Sequence, residues 1–275
     1  AVDAAFGADG GEVWVSEGVY TGTGNPVVSM KQNVHLYGGF AGTESSREQR
    51  DWTAHVTTID GEDARRGVTG ANNATLDGFT ITRGRAEGDQ PHNYGGGMLN
   101  DGASPTVSNC IFIANTSSFH GGGMANRDNA SPLLINCTFS SNEANFGAGM
   151  SNIGATSLPA ITSCFFTNNT ASNQGGGVHN ASSSSPNIDG CVFTGNSAVQ
   201  GGGISNIDKS FLLLSNSIFS ENNVTVSGGG ISNSFNASAV LSNCIFLGNT
   251  ANNGGGLSIF TAPLVSVTHF TFFGN

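Results

Sequence analysis

Charge is scarce in this chain. Only 10% of its 275 residues are Asp, Glu, Lys or Arg, and the formal net charge is −10. After Arg127 the only Lys or Arg is Lys209. Nucleic acid is excluded as a partner, because no basic patch exists to neutralise phosphates. Long apolar runs are also missing. None approaches the ~18 residues of a membrane helix, so no transmembrane segment is expected. No Cys-x-x-Cys pair points to zinc. The glycine runs are not followed by Lys or a helix, so they are not phosphate loops, and no cofactor is expected. Trp and Tyr are few: Trp14, Trp52, Tyr20, Tyr37 and Tyr94 all precede residue 95. The chain starts at Ala1 and shows no signal peptide, which reads as a processed exported protein or a trimmed one.

What the chain has in excess is glycine, with 41 residues, and a strict repeat. A Phe-x-x-Asn unit recurs at Phe112/Asn115, Phe139/Asn142, Phe166/Asn169, Phe193/Asn196, Phe219/Asn222, Phe246/Asn249 and Phe272/Asn275. Successive Phe residues lie 27, 27, 27, 26, 27 and 26 apart. Glycine triplets begin at Gly95, Gly121, Gly147 (as Gly-Ala-Gly), Gly175, Gly201, Gly228 and Gly254. A period this tight marks a solenoid. Cys110, Cys137, Cys164, Cys191 and Cys244 occupy one phase of the repeat, with Ser217 at the skipped position. One Cys per repeat reads as a stacked column of small buried side chains with free thiols, not a disulfide framework.

Residues 1–94 are the irregular part. Residues 1–7 are expected to be the tail of a capping helix. Short apolar runs follow at residues 12–15, 27–30 and 34–37, separated by Gly and Asn-Pro breaks. Residues 41–56 form a charged, protruding loop with a short helix from Ser45. Strand character resumes at residues 57–59 and 74–82.

From residue 95 each repeat offers three strand-sized pieces. One follows the glycines, one follows a Ser/Asn/Pro turn, and one is Cys-x-Phe. Period-two alternation puts Cys and Phe on the same face. No repeat can bury its apolar face alone, so the turns stack at ~4.8 Å into three parallel sheets around a shared core. The expectation is an all-β, right-handed parallel β-helix: about seven coils of 26–27 residues over 95–275, plus N-terminal coils over 1–94, in one continuous solenoid. The Asn of each Phe-x-x-Asn is expected at a turn, in left-handed backbone or bonded to the Asn of the next coil. The glycines suit a tight corner.

These Gly-Gly-x-x and Phe-x-x-Asn repeats resemble those of the chlamydial polymorphic outer membrane proteins and related bacterial surface β-helix proteins. The resemblance covers residues 95–275. The segments V-W-V-S-E-G-V-Y at 13–20 and L-Y-G-G-F-A-G-T-E at 36–44 resemble the opening of many secreted bacterial β-helix proteins. Membership implies export, a cell-surface or extracellular location, and frequently adhesion. The C-terminal transporter barrel of the full polymorphic proteins is not in this sequence.

Parallel β-helices also carry polysaccharide-active enzymes, which need concentrated charge. The best cluster is Arg83, Arg85, Glu87, Asp89 and His92 with Asp101, His120, Arg127 and Asp128 on following coils. A lyase would use His120 or Arg85 as base, with Asp101 and Asp128 near a metal. The bland alternative is a set of solvated turn residues, and it is favoured, so no catalytic residue and no metal site is expected. The acidic run at residues 60–63 lacks the spacing of a calcium loop. His179 and His269 read as ordinary surface or partly buried side chains. Sequons at Asn73, Asn129, Asn168, Asn180, Asn223 and Asn236 are candidate glycosylation sites, and those at Asn115 and Asn136 coincide with repeat positions. The last Phe-x-x-Asn unit carries no evident cap, which suggests end-on stacking into a fibre, pairing with another subunit, or a longer natural chain. The expected function is a non-catalytic extracellular or cell-surface structural or adhesin-type protein. Its expected partners are itself, stacked head to tail or end on, or cell-surface or matrix carbohydrate. The alternative is a polysaccharide lyase, or another carbohydrate-active enzyme, on an acidic polysaccharide.

Overall fold

The computed structural model describes residues 10–275. They form a parallel β-solenoid of about ten turns, with no α-helix among the described residues. A regular coil contributes four short strands. In the first such coil these are Met98–Asp101 in sheet C, Thr106–Ser108 in sheet A, Ile111–Ile113 in sheet B and Thr116–Ser117 in sheet D. Sheets A and B have ten strands, sheet C nine and sheet D six. Each strand pairs in parallel with its equivalent one coil away, as in Phe112 opposite Phe139 and Phe139 opposite Phe166. At ~4.8 Å per coil the rod is roughly 50 Å long.

Two expectations are corrected here. The first is the count: the rod has about ten turns against the seven regular coils counted over 95–275, because the N-terminal coils expected over 1–94 continue the same columns. Val13, Leu36, Leu76 and Val107 stack in one column across the boundary between residues 94 and 95. The turns between these early strands differ in length, so the inward-facing column persists while the period does not. Second, there are four sheets and not three. Sheet D includes Glu143–Phe146, Thr170–Gln174, Ser197–Gln200 and Asn223–Ser227. Its inward residues are mostly alanines, such as Ala144 and Ala171, so these strands lack the bulky apolar alternation that marks the others. Residues 74–82 also divide, at Gly78 (φ +79°), into strands of two different sheets.

The interior is a set of columns. Phe112, Phe139, Phe166, Phe193, Phe219 and Phe246 are fully buried, and their rings stack with centroids 4.7–4.9 Å apart and planes within 7°. Phe272 extends the stack at 4.9 Å. Burying each ring contributes about 1.5–3 kcal/mol. The five cysteines are free and buried. The backbone N–H of Cys137 reaches Cys164 Sγ at 3.4 Å, and that of Cys164 reaches Cys191 Sγ. Where the column skips, the Cys191 N–H donates to Ser217 Oγ at 3.1 Å. Burial pushes the Cys110 thiol up to about 12.

The asparagine column is the most regular polar feature. Asn115, Asn142, Asn169, Asn196, Asn222 and Asn249 are fully buried. Each donates its side-chain N–H to the Oδ1 of the next Asn, at 2.7–3.0 Å, ending on Asn275. The left-handed residue expected at this position sits one place earlier, at Ala114, Ser141, Asn168, Gly195, Glu221 and Gly248. That residue turns the chain, and the turn aims the following Asn inward along the rod. A second column, Asn100, Asn126, Asn152 and Asn180, runs behind the glycine corner at 2.8–2.9 Å per step. The corner needs its glycines for two reasons. The first of each triplet has φ between +61° and +70°. A Cβ on the third, such as Gly123, would meet the next coil's Gly149 oxygen at 2.6 Å and Phe139 at 2.8 Å. The middle glycine alone is replaced, by Ala148.

Candidate functional site

A trough runs along the rod where sheet D turns into sheet C. Its floor is the outward-facing row of sheet C: Leu99, Ala125, Ser151, His179, Ser205, Ser232 and Ser258. One wall is the row just before each glycine triplet: Tyr94, His120, Phe146, Gln174, Gln200, Ser227 and Asn253. Strand alternation points the floor outward, yet Leu99, Ala125, Ser151, His179, Ser205 and Ser232 are buried.

The N-terminal half of the trough is filled. The His120 ring packs on Phe119, Phe146, Tyr94 and His179 with centroids 4.4–5.9 Å away. Its Nδ1 lies 3.0 Å from Ser151 Oγ. Burial lowers His120 to about 4, and burial with the neighbouring His120 lowers His179 to about 3, so both rings are neutral at pH 7. His179 is thus no surface residue, and its Nδ1 has no hydrogen-bond partner. His269 is exposed, as read from sequence. Arg66, also buried, pins the corner by donating to the carbonyls of Pro91, His92, Tyr94 and Gly95 at 2.7–3.2 Å.

The predicted charge cluster separates into two groups. Asp101 and Arg127 are register partners on sheet C, with Arg127 Nε 3.3 Å from Asp101 Oδ1. Arg127 also ion-pairs with Asp128 and lies over the Tyr94 ring, 5.3 Å from its centroid. Burial and the neighbouring Asp128 raise Asp101, against the lowering effect of Arg127. Arg83 and Arg85 are elsewhere. Arg83 takes the left-handed corner after sheet B and pairs with Asp60, while Arg85 opens sheet D and pairs with Glu87. No ion pair joins them to Asp101, Arg127 or Asp128, so the five-residue catalytic set does not assemble. His120 is shielded as well. Among the described residues no group of three His, Cys, Asp or Glu side chains is arranged to hold a metal ion.

The charged loop at 41–56 does not simply protrude. It makes a single 3-10 turn at Arg47–Gln49, where Gln49 Oε1 accepts from the Ser45 and Ser46 N–H groups. It then folds back onto sheet A. Arg50 pairs with Asp77 at 2.8 Å, donates to the Gly38 carbonyl, and lies between the Tyr37 and Trp52 rings. A Cβ on Gly39 would meet Trp52 Cα at 2.6 Å, so this glycine admits the loop. The fold leaves a cleft of about 580 Å³, and both of its arginines are paired, Arg50 with Asp77 and Arg47 with Glu12. Nothing in the spacing of these charges marks them as a clamp. The helix expected over residues 1–7 lies outside the described residues.

Of the candidate glycosylation sites, Asn73, Asn129, Asn168, Asn223 and Asn236 are exposed. Asn180 is fully buried, and its Oδ1 accepts from Asn152, so it has no room for a sugar. Asn115 is equally closed, while Asn136 is exposed in a turn. Sequence reasoning missed the aromatic wall and the second Asn column. The signal was present: the residue before each triplet and the third residue after it recur at fixed phases.

No curated protein is similar to the chain in sequence. Among solved structures, the A-modules of two Azotobacter vinelandii mannuronan C-5 epimerases are similar to it. That of AlgE6 has a TM-score of 0.41 at 13% identity, covering 99% of this chain and 93% of its own. That of AlgE4 has 0.33 at 15%, covering 99% and 91%. The family model for the right-handed β-helix region matches residues 117–272, more than half of the sequence. With the stacked parallel coils, this match places the chain in the right-handed β-helix family.

Proposed function

We propose that this chain is a non-catalytic extracellular or cell-surface β-helix of structural or adhesin type, a rigid rod that displays a binding surface. The observation that carries the reading is the state of its acid–base groups. His120 and His179 are buried in an aromatic stack, and Arg127 holds both Asp101 and Asp128. Catalysis needs a group within reach of the substrate proton, and none of these presents a free one. The Gly-Gly-x-x and Phe-x-x-Asn repeats support the surface location through their resemblance to exported proteins. Its partners are carbohydrate or further copies of itself. The parallel pairing that joins coil to coil also serves to join one copy to another, so end-to-end fibre formation is part of the proposal.

One observation favours an enzyme on acidic polysaccharide: a partly buried carboxyl with a raised pKa, Asp101, beside a guanidinium and the Tyr94 ring. Incubation with uronate polymers and neutral glycans, with and without Ca²⁺, separates the readings. Unchanged polymer length and no unsaturated product are expected. Turnover that disappears in Asp101→Asn overturns the non-catalytic reading. Negative-stain electron microscopy tests the fibre: filaments support it, and separate short rods sink it.

A further inference from the structure

The trough opens in its C-terminal half. From Gln174 onward the wall carries Gln, Ser and Asn where the earlier coils carry Tyr, His and Phe. The result is a cleft of about 460 Å³ whose floor is Ser232 and Ser258 and whose wall is Gln200, Ser227 and Asn253. On the opposite side stand Phe235 and Phe260, which are 56% and 66% exposed. Two large aromatic rings left in water at the mouth of one cleft form a recognition feature.

We propose that this cleft binds a neutral oligosaccharide. Three observations point to that class. First, none of the residues lining the cleft is charged. A charged ligand has no counterion there, and the net charge of −10 repels polyanions. Second, the polar lining consists of hydroxyls and amides, which both donate and accept, as the hydroxyls of a sugar do. Third, Ser234 lines the cleft, is only 6% exposed, and its Oγ has no hydrogen-bond partner. A buried hydroxyl without a partner is destabilising, and rotation about the Ser234 Cα–Cβ bond turns it toward a ligand hydroxyl in the cleft. The Phe235 and Phe260 rings supply flat apolar platforms for the C–H face of a pyranose. The volume lies within the range of small-ligand pockets, which pair apolar walls with a few placed polar groups. The filled half of the trough closes one end, so the chain of sugars enters from the C-terminal coils.

This inference rests on the display reading above and deepens it, and the test keeps the two apart. The purified protein is titrated by calorimetry with tetramers to hexamers of glucose, mannose and galactose, and with uronate oligomers of equal length. Wild-type protein is expected to bind a neutral series and not the uronates, leaving the oligomers intact. Phe260→Ala is expected to weaken binding about tenfold, and Ser234→Ala by roughly threefold to tenfold. Phe165→Ala, exposed on sheet B, is expected to leave it unchanged. Circular dichroism melts confirm that each variant is folded. Neutral glycan bound equally by Phe260→Ala and Ser234→Ala overturns this site while the display reading stands. Absence of neutral-glycan binding, or uronate binding of equal strength, also overturns it. Shortened oligomers overturn the display reading instead.

Discussion

Replacing Asn169 by Ala tests whether the asparagine column is structural cement. The Asn169 side chain is fully buried. Its Oδ1 accepts from the Asn142 backbone N–H at 3.1 Å and from Asn142 Nδ2 at 3.0 Å. Its Nδ2 donates to Phe139 O and Asn196 Oδ1, both at 2.9 Å. Truncation leaves the Asn142 N–H without a partner in a dry interior, a loss of about 1–3 kcal/mol. The Phe139 carbonyl and Asn142 Nδ2 each lose one bond, worth roughly 0.5–1.5 kcal/mol apiece. The sum is about 2–6 kcal/mol, a large share of a typical domain's stability. With a urea m-value of roughly 3 kcal/mol/M the midpoint falls by about 1 M. The assay is urea unfolding followed by circular dichroism, with exposed Thr170→Ala as a control expected to stay within ~0.5 kcal/mol. Asn169→Asp, nearly isosteric, is expected to be worse than Ala, because it buries a charge and removes both donated bonds. An Ala variant within ~1 kcal/mol of wild type, or an Asp variant better than Ala, refutes the reasoning.

Other outcomes follow from the same geometry. Asp77→Ala strands the largely covered Arg50 guanidinium and is expected to destabilise by about 2–4 kcal/mol and to expose residues 41–56 to limited proteolysis, read by peptide mapping. Cys164→Ser is expected to shift the melting midpoint little, since Ser217 already fills this phase of the column and bonds the Cys191 N–H; a loss above ~2 kcal/mol counts against a simple stacking role. The buried thiols are expected to resist a thiol reagent until the protein unfolds, and rapid labelling of the native protein contradicts the cysteine column. His120 and His179 titrate below the usual histidine value of 6.5, at about 4 and about 3. The unfolded chain binds more protons in that window, so stability is complete above pH ~6.5 and falls as pH drops towards 4, with a slope up to about 1.4 kcal/mol per pH unit for each ring. His120→Phe/His179→Phe is expected to flatten that slope, and an unchanged slope removes the histidines as its cause.

The fold was legible because its columns are written in the sequence at one phase each. Phe112 to Phe272, Cys110 to Cys244 and Asn115 to Asn249 each name a ladder, and each ladder exists. Sheet D was not legible, since its inward residues are Ala144 and Ala171 among polar neighbours, too small to stand out as an apolar period. The N-terminal coils were expected, but their register was hidden for a different reason. Val13 and Leu36 continue the column of Leu76, but the loop at 41–56 separates Leu36 from Leu76 by many residues and breaks the count. Arg83 was misplaced for a third reason: proximity in sequence to Arg85 suggested one cluster, whereas a left-handed corner at Arg83 sends the two toward different partners.

The candidate site follows from reading the repeat in the opposite sense. A position filled identically in every coil serves the stack, because each coil needs the same contact with the next. A position whose chemistry changes from coil to coil at constant phase cannot be serving that contact. The row before each glycine triplet is such a position. It runs Tyr94, His120, Phe146, Gln174, Gln200, Ser227 and Asn253, from aromatic to amide to small polar. The backbone beside it does not change, since the first glycine keeps the same φ throughout. The change therefore alters only what fills the trough. Aromatic rings fill it and rigidify the first half, while shorter polar side chains vacate it in the second. A uniform rod has no need of this gradient, and a rod that presents one binding cleft at a fixed place along its length does.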